Sequence, residues 1–269
     1  ADLHALKLSQ DTLKVAGLLE AHLPVLNVDY PQGTIIGSEI EVSIPGNKLP
    51  LDSIKIFANS QPETGQDISM DIAKLLNLNV TGTIPLTQIG NGYMYHINKF
   101  YNLGDTFEYA SDYTLDLDGV IRYNPILTRF NRSIKPFDTI GLHSALSRET
   151  MDLAVNIPYF RYGNHVIDSG FVSLQEDNDR INYNVGARQY RNKDELVFFY
   201  PGLNGRVLND TVYARAVMKD SGANNRFVLG FAVNKDLRDE NSLTHLRLFR
   251  GLMIDYDLWQ VNENNRITL

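Results

Sequence analysis

Asp116 and Asp118 stand two positions apart in the run Tyr113–Tyr123, where polar and apolar residues alternate. Successive side chains of a strand point to opposite faces, so this spacing puts both carboxylates on one face. Glu176-Asp177-Asn178-Asp179 packs oxygen-bearing side chains into a turn sequence. Asp236, Asp239 and Glu240 gather in another loop, and Asp255 and Asp257 share a strand face near the C-terminus. Hard oxygen ligands of this kind suit Ca2+, which takes about six to eight of them. Asp116, Asp118, Asp177 and Asp179 are therefore the calcium candidates. No cluster has the central glycine and terminal glutamate of an EF-hand loop. The same carboxylates leave open a glycosidase acid/base pair, and with it a carbohydrate-binding or carbohydrate-cleaving β-sandwich.

Val166-Ile167-Asp168-Ser169-Gly170 is similar to the Asp-Ser/Thr-Gly signature of aspartic proteases, and Val228-Leu229-Gly230 to the element that follows it there. That chemistry needs two carboxylates sharing one proton. The first half has no second copy, since Asp118-Gly119 lacks the intervening hydroxyl residue. A dimeric protease using Asp168 is the remaining enzymatic reading. P-loop, dinucleotide-binding, H-E-x-x-H and G-x-S-x-G patterns do not occur. The histidines, His4, His22, His96, His143, His165 and His245, are scattered without metal-binding spacing.

With 0 cysteines, disulfides, thiolate catalysis and Cys-ligated zinc are excluded. A net charge of −7 argues against a general nucleic-acid binder, which needs a basic face. Arg122, Arg129, Arg132 and Lys135 make only a short basic patch. No apolar run approaches the roughly 20 residues that span a bilayer, and no signal-peptide pattern is visible.

The elements that must position these groups are mostly strands. Residues 1–23 carry Leu8, Val15, Leu19 and Leu23 near helical spacing, closed by Pro24, which predicts an N-terminal helical segment within 1–30. Glu39–Ile44 and Ile54–Phe57 then alternate as strands. Ile68, Ile72, Leu75 and Leu76 predict a short helix over 67–78. Strands resume at Tyr93–Ile97, Thr106–Tyr109 and Tyr113–Tyr123, with Asn91-Gly92 and Asp118-Gly119 as tight turns. Residues 131–150 break the pattern and mark a crossover or boundary. Beyond them come Met151–Ile157, His165–Leu174, Arg180–Tyr190, Leu196–Tyr200, Arg206–Met218, Arg226–Val233 and Leu243–Leu258. Pro158, Asp177-Asn178-Asp179, Pro201-Gly202, Asn204-Gly205 and Asp220-Ser221-Gly222 separate them. Strands at such spacing indicate sandwiches or barrels.

The fold expected is mainly β: two consecutive eight-stranded jelly-roll barrels, at 31–140 and 141–269, after the helical segment and with a few short helices. The chain resembles the major capsid proteins of corticovirus-type phages, which are tailless, icosahedral and membrane-containing. The resemblance is carried by the opening Ala1-Asp2-Leu3-His4-Ala5-Leu6-Lys7, the two strand-rich halves joined near 131–150, and the close at Leu269 after Trp259-Gln260-Val261. It implies a non-enzymatic double jelly roll, assembled as a homotrimer that tiles a shell beside neighbouring trimers. It further implies bound calcium, contact with vertex and membrane-associated virion proteins, and no direct nucleic-acid contact. The place implied is the virion capsid, with the host cytoplasm before assembly.

Overall fold

The structure, a computed structural model, describes residues 14–44, 47–51, 53–102, 112–193, 196–236 and 243–268. It is mainly β. The first strands are β1 (Lys14–Val25), β2 (Gln32–Ile44), β3 (Asn47–Pro50), β4 (Ile54–Asn59), β5 (Gln66–Ile72) and β6 (Leu76–Gly82). Helix α1 (Ile89–Phe100), β7 (Thr114–Ile121) and the short α2 (Pro125–Phe130) follow. The chain continues through β8 (Ile140–Ser147), β9 (Met151–Tyr162), β10 (His165–Asp177), β11 (Arg180–Gly186), β12 (Gln189–Asn192), β13 (Leu196–Leu208), β14 (Thr211–Lys219) and β15 (Asn225–Asp236). It closes with β16 (Leu243–Leu248), β17 (Leu252–Ile254), β18 (Asp257–Trp259) and β19 (Ile267–Thr268).

All pairings are antiparallel and join strands that lie close together in the chain. Tight links enforce this. Ala73-Lys74-Leu75 joins β5 to β6, with φ of 52° and 55° at its first two residues, and Asn209-Asp210 joins β13 to β14, with φ of 49° and 56°. Positive φ at both loop residues is the geometry of a two-residue hairpin turn. Asn178-Asp179 links β10 to β11 at the same length. The jelly rolls expected at 31–140 and 141–269 need Greek-key pairs between strands distant in the chain. Among the described residues the pairings are those of a meander. The sheet also runs on through 131–150, where β8 pairs with β7 on one side and β9 on the other.

The registers stack apolar residues across the sheet. One row passes through Ile35, Ile56, Met70, Leu78, Gly119, Leu142, Val155, Val172, Val185, Leu203, Ala216 and Leu229. Because side chains alternate, the row marks one apolar face. Helix α1 covers part of that face. Ile89, Tyr93, Ile97 and Phe100 pack there on Ile68, Val80, Leu115, Leu146, Met151 and Ile181. Ile84 and Met151 are fully enclosed, and burying each such side chain contributes about 1.5–3 kcal/mol. Gly92 permits the close approach, since a Cβ there would meet Leu146 Cδ2 at 2.8 Å. A smaller cluster joins α2, through Ile126, to Val42.

Several expected elements take another form. Over 14–25 the N-terminal helix is replaced by β1, and residues 1–13 lie outside the described residues. Adjacent Leu18 and Leu19 are both exposed, so no single apolar stripe collects and backbone pairing with β2 prevails. The helix expected over 67–78 is the β5–β6 hairpin, because Ile68, Met70 and Ile72 also alternate with Asp67, Ser69 and Asp71. Conversely, Tyr93–Ile97 is helical: Ile89, Tyr93, Ile97 and Phe100 form a stripe that outweighs the alternation. Asn91-Gly92 therefore lies inside α1, and Asp118-Gly119 inside β7. Pro158 falls within β9. Pro201-Gly202 and Asn204-Gly205 fall within β13, where a Cβ on Gly205 would meet the Tyr213 carbonyl oxygen at 1.9 Å. The strand expected at Thr106–Tyr109 lies outside the described residues.

Candidate metal centre and a buried histidine network

The face opposite α1 is polar. One cross-strand row there runs Asn79, Asp118, His143, Ala154, Ser173, Asn184, Asn204 and Arg215. Asp118 and His143 are register partners on β7 and β8, and Asp116 lies two residues along the same face. The His143 Nδ1–H donates to Asp118 Oδ1 at 2.8 Å. Ligand atoms of Asp116, Asp118 and His143 all lie within 4.8 Å of one another. The hydrogen bond to Asp118 holds the imidazole above its ordinary pKa; partial burial opposes this, and the charges of Asp118, Asp116 and Asp152 add to it. Asp118 and His143 line a hollow of about 550 Å³ together with Asn77, Asn79, Asn156, Phe171 and Ser173.

This is a mixed donor set. Carboxylate with imidazole suits a borderline divalent ion such as Zn2+, with further positions left for water. Calcium prefers an all-oxygen shell, and here only Asp116 and Asp118 of the expected ligands converge. Asp177 and Asp179 lie at the β10–β11 turn, where their carboxylates pair with Arg180 at 3.6 and 3.2 Å. Asp255 is taken by Arg226 at 2.7 Å. Asp239 and Glu240 lie outside the described residues.

Asp168 has a guanidinium partner. It accepts from Arg188 and from the Ser169 hydroxyl, and these bonds hold its carboxyl below the usual range despite partial burial. A protease dyad would place a second carboxyl there. Ser169 lies at φ 54° in the middle of β10, so the Asp-Ser-Gly sequence forms an irregularity inside a strand.

A second histidine site escapes the linear motif search. His96, on α1, is fully buried, and its Nδ1 meets Glu176 Oε2 of β10. Its Nε2 lies 2.7 Å from the Ser147 carbonyl oxygen and 3.0 Å from the Tyr113 hydroxyl. Lys99 Nζ donates to the other Glu176 oxygen at 2.7 Å. Burial raises the Glu176 pKa, but the bonds from His96 and Lys99 outweigh it and hold the carboxyl below its ordinary value. With no side-chain exposure at His96 and 2% at Glu176, the pair ties the helix to the sheet. The signal available in sequence was His96 and Lys99 at i and i+3, visible once 89–100 is read as helix.

No family, no curated protein and no solved structure matches this chain.

Proposed function

We propose that this chain is a structural subunit of a protein shell, of the corticovirus-type capsid kind that its sequence resembles. The observation that carries the proposal is a broad antiparallel sheet whose apolar face extends beyond its helical cover. Val185, Leu203 and Leu229 on that face are 38%, 37% and 36% exposed. Apolar surface of this extent marks an association surface. Shell subunits need large lateral contacts, and obligate interfaces commonly bury more than about 2,000 Å².

A homotrimer, contacts with neighbouring trimers and with vertex and membrane-associated virion proteins, and residence in the virion belong to the same proposal. So does a divalent cation at Asp116, Asp118 and His143, whose mixed donors favour Zn2+ over the calcium that the resemblance implies. The double jelly roll implied by the resemblance belongs to the same proposal, and Greek-key pairing in an experimental structure would be its mark. Negative-stain imaging of concentrated protein is expected to show pseudo-hexagonal units tiling into sheets or shells. Discrete single-chain particles at every concentration would refute the proposal.

A further inference from the structure

The polar face divides by charge. One row leads from Asp118 through Ser173, Asn184 and Asn204 to Arg215. Two residues along each strand, a parallel row starts at Asp116 and Asp152, passes Gln175 and Asn182, and ends on Arg206 and Arg247. Over β13–β16 neither row places a carboxylate. Arg206, Arg215 and Arg247 are exposed, and among the described residues they enter no ion pair. Arg180, Arg188 and Arg226, by contrast, each hold an aspartate. In a chain of net charge −7, unanswered guanidiniums gathered on one patch make a local field for an anion.

Arg206 and Arg215 line a hollow of about 640 Å³, within the size range of small-molecule sites. Tyr213 and Phe249 line it too, as a stacked pair with ring centres 6.2 Å apart and planes 9° from parallel. Arg206 lies over Tyr213 at 5.3 Å, and Arg247 over Phe249 at 5.5 Å. Stacking on ring faces steadies a guanidinium while leaving its N–H fork free to donate. Asn184 and Asn204 bring amides, each with a donor and an acceptor end. Arg250 also lines the hollow, but Glu263 takes its charge.

We propose that this hollow binds a nucleotide, with its phosphate on Arg206 and Arg215 and its base against the aromatic wall. Guanidinium forks match phosphate oxygens in pairs. Aromatic walls suit a planar base, and side-chain amides can pair with a base edge. An anion without a flat ring would use the arginines and leave the wall and the amides unanswered. The same chemistry is offered by a free nucleotide and by a single strand. The site does not rest on the shell reading, and it departs from the lack of nucleic-acid contact that the resemblance implies.

Calorimetric titration of the whole chain with AMP, adenosine and inorganic phosphate tests the site. AMP is expected to bind about tenfold or more tighter than adenosine or phosphate alone. Arg215→Ala should weaken AMP several-fold and the double variant Arg206→Glu, Arg215→Glu should abolish binding, whereas Arg122→Glu, an exposed arginine outside the hollow, should not. A fluorescent oligodeoxyadenylate separates the two sources. Tighter binding of the oligonucleotide than of AMP would support the site with a single strand as its ligand, and binding no tighter would support it with a free nucleotide. Equal affinity for AMP and adenosine would overturn the proposal, as would AMP binding unchanged in the double variant, or binding of heparin with neither AMP nor the oligonucleotide. Any of these would leave the trimer expected of a shell subunit untouched.

Discussion

Two histidine–carboxylate pairs in this protein share their chemistry and differ in burial. His96–Glu176 lies beneath α1 with 0% and 2% side-chain exposure, whereas His143–Asp118 lies on the open polar face with 45% and 62%. Buried, the pair is wrapped by Lys99, Tyr113 and the Ser147 carbonyl, so every polar direction is answered from within the chain. Exposed, the pair keeps its charges near water, and the neighbouring Asp116 concentrates negative charge beside the imidazole. Burial, and not residue type, turns one pair into a structural clamp and the other into a candidate ligand set.

The largest contrast is expected from removing one charge at each site. Glu176→Gln leaves His96 and Lys99 without their anion, and breaking a buried pair in this way costs about 3 kcal/mol. Its urea midpoint should fall clearly, while Asp118→Asn should leave the midpoint within error, as exposed pairs contribute little. Equal losses in the two variants would break the distinction.

Acid should act through the buried pair. The folded Glu176 pKa is depressed, so the stability it contributes is present above about pH 4.5 and is lost as pH falls through the lower folded value. Urea midpoints of the wild type should drop more steeply below pH 4.5 than those of Glu176→Gln.

The exposed pair works in the opposite sense. The His143 pKa is raised, so its contribution is fully present below about pH 6.5 and disappears as pH rises through the folded value. That effect on stability should be small, and NMR titration is the sharper probe. Asp118→Asn should bring the His143 titration back towards the ordinary histidine range.

Smallest in stability, though diagnostic, is metal binding. Zn2+ must displace the imidazole proton, so its affinity should rise with pH through the His143 titration and fall in His143→Ala. A calcium response, reversed by EGTA and unaltered in His143→Ala, would point to a site made by carboxylates alone.

The sequence showed the β class and the position of many strands, because alternation at Thr114–Ile121 and Met151–Ile157 is a local property. It also placed Asp116 and Asp118 on one face, since that needs only the period of a strand. His143 was out of reach: its meeting with Asp118 depends on the register of β7 on β8. The His96–Glu176 contact spans 80 positions and depends on how α1 docks, which no local pattern encodes. The errors at 14–23, 67–78 and 93–97 share one cause. In each, short apolar spacing fitted both helix and strand, and pairing or packing elsewhere in the chain made the choice.

Sedimentation equilibrium of the purified chain at micromolar concentration tests the shell-subunit proposal most directly. We expect a stable trimer, near three times the 30.4 kDa chain mass, with larger species as concentration rises. A strictly monomeric species across that range would contradict it.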